Sequence, residues 1–235
     1  MAWPKIGVLA GFCALGLLAV GTTNWANPSQ NAIRYVALGD SYTIGTGAPP
    51  GYSWPQQLVR ALSAKGISIE LVDNLARNGW ASQHVIQYQL PVFKSLHPTF
   101  TTVLVGANDI SRGEDIRTFA LSLRMLLNKV QEILPQKEMV VLLTVPDFSV
   151  TPQGKLFGAD IQKRIMLFNQ VIKQEAQARG LMLVDLFSVS QAMGQDQSLV
   201  AKDGLHPSAK AYRQWAEVIF PAVYKLLEPS STKIP

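Results

Sequence analysis

Ile33-Arg34-Tyr35-Val36-Ala37-Leu38-Gly39-Asp40-Ser41-Tyr42 is the stretch that decides how this chain folds. Its first six residues are a largely apolar, β-prone run. Gly39 then permits a tight turn, which sets Asp40 and Ser41 just past the end of a strand. Four further runs of this kind lie at 67–74, 101–105, 139–145 and 181–186, so strands are expected at these and at 33–38. Longer amphipathic segments separate them, and the spacing predicts helices over 54–65, 82–88, 116–134, 159–179 and 208–227. Pro91 marks a break after the second of these. In the third, Phe119, Leu123, Leu126, Leu127, Val130 and Leu134 recur at three- and four-residue spacing and build one apolar face. Ser208, after Pro207, is placed to cap the last. Five strands alternating with helices predict an α/β fold whose parallel sheet is covered on both faces.

In such sheets, sites form beyond the carboxyl ends of the strands. Four short blocks fall there or just before the last helix: Gly39-Asp40-Ser41, Asn78-Gly79, Gly106-Ala107-Asn108-Asp109 and Asp203-Gly204-Leu205-His206-Pro207. Each alone is a common loop sequence. Together they supply a serine nucleophile (Ser41), a histidine base (His206) and an acid three residues before it (Asp203). Asn108 can donate its side-chain amide to an oxyanion, and Gly79 and Ser41 can donate main-chain N–H groups. Acyl transfer needs these roles in one place. A metal site would need a third ligand beside Asp203 and His206, and none is evident, so no metal is expected. His84 and His97 fall in a helix and a connection and read as structural or surface residues.

A hydrophobic fraction of 48% with 16% charged residues excludes a disordered chain. The net charge of +5, to which Lys5 contributes one, comes with no long Lys/Arg run, so nucleic acid is not an expected partner. Lys5 precedes an uncharged apolar stretch from 6 to 20 and then small or polar residues, Gly21-Thr22-Thr23-Asn24-Trp25-Ala26. That order predicts a signal peptide over 1–26, cleaved after Gly21 or Ala26, or else an uncleaved anchor. Export follows in either case: periplasmic, secreted or cell-envelope, with membrane contact through this segment. The only cysteine, Cys13, lies inside it, and Phe12 before it argues against a lipoprotein cleavage site. The working domain is 27–235.

Gly45-Thr46-Gly47-Ala48-Pro49-Pro50-Gly51 resembles a dinucleotide loop. However, its third glycine is one residue late, and Pro49-Pro50 forbids the helix that should bind the pyrophosphate. It reads instead as a flexible wall of the site. Tyr52 and Trp54 beside it, and Trp80 beside Gly79, are candidate substrate-binding residues; core packing explains the same aromatic residues equally well.

With G-D-S-Y, N-G, G-A-N-D and D-G-L-H-P in this order, the chain resembles the SGNH hydrolases, the GDSL family of lipases and esterases, in its lysophospholipase-like and small-esterase members. The resemblance runs from Ile33 to the final helix. It implies a flavodoxin-like three-layer α/β/α sandwich, a Ser41–His206–Asp203 triad, an oxyanion hole of Ser41, Gly79 and Asn108, and no cofactor. It also implies that Asp40 is a buried structural partner of the turn. Tyr42 stands where the name-giving motif has Leu, and Arg77 and Trp80 are bulkier than the residues common around the family glycine. The expected activity is serine-esterase hydrolysis of a short-chain, lysophospholipid or acetylated-carbohydrate ester. The residues leave a second class open, a silent carbohydrate- or lipid-binding module on the same scaffold.

Overall fold

A computed structural model describes residues 1–2 and 32–228. The signal-peptide or anchor segment expected at 1–26 therefore lies outside the described residues apart from Met1 and Ala2. No helix among the described residues is long and apolar enough to cross a membrane.

Five parallel strands, β1 Ile33–Gly39, β2 Ile69–Asn74, β3 Phe100–Leu104, β4 Val140–Leu143 and β5 Met182–Val184, lie in the order β2-β1-β3-β4-β5. β3 and β4 are buried along their whole length, while the edge strands β2 and β5 are half-exposed. All five sit at the expected positions, within two residues at either end.

The helices in chain order are α1 Ser41–Ile44, α2 Trp54–Ala64, α3 Ser82–His84, α4 Leu90–Ser95, α5 Ala107–Ser111, α6 Ile116–Ile133, α7 Ile161–Arg179, α8 Leu186–Ser190 and α9 Ala209–Leu227. Right-handed crossovers place α2 on one face of the sheet. The chain then reverses direction past β1, so α3–α4, α6 and α7 fall on the other face. α9 returns to pack against α2, and α6 packs against α7. This is the three-layer sandwich the sequence predicts. Asp115 caps α6 by accepting from the N–H of Arg117, and Ser208 caps α9 by accepting from the N–H of Ala211.

Two expectations need correcting. Pro91 does not end its helix: a π-turn, Val85–Gln89, joins α3 to α4 and the helix runs on to Ser95. The widened turn accommodates a proline that has no N–H and whose ring crowds the preceding carbonyls. Trp54 does not line the site. With Leu58 and Leu62 it forms the fully buried face of α2.

The chain reverses between β1 and β3. This is the switch point at which open α/β sheets bind ligands. The loops after these two strands carry Ser41 and Asn108.

Candidate active site

β1 ends at Gly39, where only glycine fits: a Cβ there would lie 2.4 Å from Thr43 Oγ1 and 2.7 Å from the Leu104 carbonyl. Asp40 follows as the cap of α1, with its Oδ1 accepting from the N–H of Tyr42 at 3.0 Å. Burial pushes the Asp40 carboxyl up to about 7, against the opposing pull of the Tyr42 N–H. Ser41 is the first residue of α1 and is buried except toward a cavity of about 250 Å³. Tyr212 on α9 donates to the Thr46 carbonyl at 2.9 Å and fixes the turn that follows.

Gly79 takes a left-handed conformation, φ 75°. Its carbonyl accepts from the Arg112 guanidinium at 2.5 Å, and the neighbouring Asn78 accepts from the Thr46 hydroxyl at 2.5 Å. The Asn78-Gly79 loop is thereby tied to two of the other loops of the site. Among the described residues, the main-chain N–H groups of Ser41 and Gly79 have no protein acceptor.

Asn108 lies in α5, and its Nδ2 donates to Asp40 Oδ2 at 3.2 Å and to the Trp80 carbonyl at 3.1 Å. Both amide protons thus have protein partners. Asp109 beside it accepts from the N–H of Ser82 at 3.0 Å and from its hydroxyl at 2.5 Å. Burial raises the Asp109 carboxyl, opposed by those Ser82 contacts.

His206 is held by a loop closed by an antiparallel bridge between Val200 and Pro207 and by the Ala201 N–H donating to the His206 carbonyl at 2.8 Å. Asp203 Oδ1 accepts from the N–H groups of Leu205 and His206 at 2.9 Å each, and Oδ2 lies 2.7 Å from His206 Nδ1. Partial burial alone would raise the Asp203 carboxyl. The two N–H groups and the imidazole outweigh it and hold the carboxyl below the usual range. Gly47 makes the approach of this loop possible. A Cβ there would lie 2.6 Å from Ala201 Cβ, 2.8 Å from the Pro207 carbonyl and 3.1 Å from His206 Cβ.

Ser41, Gly79, Asn108 and His206 line the same cavity, with Tyr42, Phe148, Phe157 and Leu205 supplying apolar wall. Among the described residues no hydrogen bond joins the Ser41 hydroxyl to His206; catalytic hydrogen bonds are often long before substrate binds. The Tyr42 ring packs against the imidazole with its centroid 5.4 Å away. A second, more polar cavity of about 710 Å³ shares Asn78 with the first and is lined by Trp80, Arg77 and the 45–51 loop. Trp80 is therefore beside the site. Tyr52 is exposed and lines neither cavity, contrary to its expected role in binding substrate. His84 packs in a triangle of rings with Trp80 and Tyr88, and its Nδ1 accepts from the N–H of Ala81 at 3.2 Å. No cluster of three His, Cys, Asp or Glu residues able to hold a metal occurs among the described residues.

Sequence reasoning gave no role to Arg112, Ser82 or Asp109, which tie the loops together. Asp109 was visible inside the G-A-N-D block, but nothing in the sequence marks its partners.

A sequence profile of the GDSL-like lipase/acylhydrolase family matches residues 37–214. Over 133 residues the chain is 29% identical to a multidomain esterase of Ruminococcus flavefaciens; the match covers 54% of this chain and 16% of that protein. Among solved structures, the psychrotrophic esterase EstA from Pseudoalteromonas sp., inhibited by monoethylphosphonate, superimposes with TM-score 0.67 at 19% identity, covering 84% of this chain and all of that one. A lipase/acylhydrolase from Enterococcus faecalis gives 0.66 at 22% identity over 83% and 97% of the two chains. A variant of Axe2, an acetyl xylan esterase from Geobacillus stearothermophilus, gives 0.64 at 17% identity over 81% and 94%. At these identities the structural likeness speaks for the fold.

Proposed function

The chain belongs to the GDSL-like lipase/acylhydrolase family; from that premise we propose that it is a carboxylic ester hydrolase and that Ser41, His206 and Asp203 carry out the hydrolysis. The observation that carries the proposal is the single cavity lined by Ser41, Gly79, Asn108 and His206, with Asp203 2.7 Å from His206 Nδ1.

Ser41 Oγ attacks the ester carbonyl while His206 Nε2 takes its proton. Asp203 keeps the other proton on Nδ1 and stabilises the imidazolium. The oxyanion forms against the N–H groups of Ser41 and Gly79, and Asn108 adds a third donor when one Nδ2–H turns from the Trp80 carbonyl. The C–O bond to the alcohol breaks, and His206 returns the proton to the leaving oxygen. Water, deprotonated by His206, then attacks the acyl-enzyme, releasing the acid and restoring Ser41.

A cavity of about 250 Å³ is near the lower end for small-molecule sites and favours a short acyl group. The larger polar cavity beside Trp80 and Arg77 has room for a bulky, hydroxyl-rich alcohol. An acetylated carbohydrate is the substrate class that fits both. One observation favours a lipid ester instead: Leu156 and Phe157, beside His206, are 76% and 45% exposed. Hydrolysis of p-nitrophenyl esters from acetate to palmitate, with Ser41→Ala in parallel, tests both. Activity on acetate that falls with chain length, and is lost in the variant, supports the first reading; a preference for long chains supports the second. We also propose export through residues 1–26, which N-terminal sequencing of the mature protein tests.

A further inference from the structure

The Gln89 side chain is buried, 1% exposed, and makes two hydrogen bonds to one residue. Its Oε1 accepts from the N–H of Gly39 at 3.1 Å, and its Nε2 donates to the Gly39 carbonyl at 2.6 Å. Gly39 lies two residues before Ser41.

Backbone alternation explains why Gly39 needs this partner. The Ala37 carbonyl points toward β2 and accepts from the N–H of Leu75. Gly39, two residues on, points to the same side. The pairing of β1 with β2 ends at Ala37 and Asn74, however, and the chain then leaves toward the Asn78-Gly79 loop. No strand remains to satisfy Gly39, and an unpaired buried peptide group is costly. The Gln89 amide has one acceptor and one donor in the arrangement of a peptide unit, and it takes the place of the missing strand residue.

The π-turn is what brings it there. Gln89 is its last residue, and Leu90 follows with its N–H bonded to the Val85 carbonyl, five residues back. The extra residue in that turn rotates the following positions around the axis, and π-turns are frequent at functional sites. The same device occurs once more at the carboxyl edge of the sheet. Past the end of β4, the buried Asn169 accepts from the N–H of Val145 at 2.7 Å and donates to its carbonyl at 2.9 Å.

We infer that Gln89 is a positioning residue for the nucleophile: its amide bridge satisfies Gly39, the last residue of β1, on the side that β2 has left and so fixes the start of α1, where Ser41 presents its hydroxyl and its N–H. The inference rests on Ser41 being the nucleophile. Asn169 makes the equivalent bridge away from Ser41 and provides the comparison.

The test is steady-state hydrolysis of p-nitrophenyl acetate by wild type, Ser41→Ala, Gln89→Met, Gln89→Glu and Asn169→Leu, with thermal unfolding of each. Gln89→Met keeps the length of the side chain and removes both bonds. It is expected to lower kcat by about tenfold to a hundredfold, as for a small misplacement of a reacting group, with KM within about twofold of wild type. Asn169→Leu is expected to lower the unfolding temperature with a much smaller loss of kcat. In Gln89→Glu a neutral carboxyl can still donate to the Gly39 carbonyl and an ionised one cannot, so its kcat relative to wild type should rise as the pH falls. Unchanged kcat in Gln89→Met, or equal kcat losses in Gln89→Met and Asn169→Leu, overturns the inference. If Gln89→Met does not fold, a pH-independent ratio for Gln89→Glu overturns it. Full activity in Ser41→Ala would instead remove the nucleophile reading on which it rests.

Discussion

Asn108 Nδ2 lies 3.2 Å from Oδ2 of Asp40, so the amide that would face an oxyanion is tied to a carboxyl with no exposure to solvent. The cap of the Ser41 turn and the proposed third oxyanion donor are thereby one hydrogen-bonded unit, closed on its other side by the Trp80 carbonyl. Asn108→Ala removes the donor and leaves Asp40 with the Tyr42 N–H alone. Its kcat for p-nitrophenyl acetate should fall about a hundredfold or more, the usual cost of one oxyanion donor, with little change in KM.

Burial of Asp40 also makes stability depend on pH. Its carboxyl is raised from 3.8 to about 7, so the folded state holds the proton more tightly than the unfolded chain. The resulting stabilisation is fully present below 3.8, declines as the pH rises, and is gone above about 7. Urea unfolding across that window should show wild type losing stability relative to Asp40→Asn, by an amount on the order of a few kcal/mol. A difference between the two that does not change with pH would contradict the raised carboxyl of Asp40.

Gly47→Ala should impair both stability and turnover. Its Cβ would meet the Pro207 carbonyl and the Ala201 side chain and press on His206, at a φ of 95°. Gly51→Ala, at φ 90° with nothing within 4 Å, carries only the backbone strain of about 1–2 kcal/mol. Unfolding midpoints and kcat for the pair should show the larger destabilisation, and the only marked loss of kcat, in Gly47→Ala.

Asp203→Asn replaces a carboxylate that accepts from His206 Nδ1 by an amide whose NH2 favours the opposite tautomer. A kcat loss of about 10²–10⁴-fold is expected, toward the smaller end because the Asp203 side chain is 41% exposed and water can stand in for it.

Phe157→Ser removes exposed apolar surface beside His206. If the alcohol is a carbohydrate, the ratio of kcat/KM for acetate over longer esters should stay unchanged. A selective loss on long-chain esters would instead assign that surface to lipid tails.

The fold was legible because its strongest signals are local. The run ending at Gly39 is β-prone, and in 116–134 the apolar spacing alone defines the buried face of α6. The four site blocks were legible because glycine, asparagine and serine at successive strand ends, with a histidine just before the last helix, have little structural reason to recur together. Trp54 was misplaced by its nearness in sequence to the 45–51 loop. The spacing of Trp54, Leu58 and Leu62, one face of a helix, was the signal that turns it inward. Gln89 was not legible at all. A lone glutamine carries no periodicity, its partner is 50 residues away, and the π-turn that aims it looks in sequence like a helix about to end at Pro91.

The nucleophile can be read directly by treating wild type and Ser41→Ala with a p-nitrophenyl ethylphosphonate ester and measuring intact mass and labelled peptides. Attack by Ser41 forms an Oγ–P bond and expels p-nitrophenolate. Wild type should gain one phosphonyl group on the peptide containing Ser41, release one equivalent of p-nitrophenolate and lose esterase activity in proportion, while Ser41→Ala stays unlabelled. Labelling of another residue, or equal labelling of the variant, would contradict Ser41 as the nucleophile.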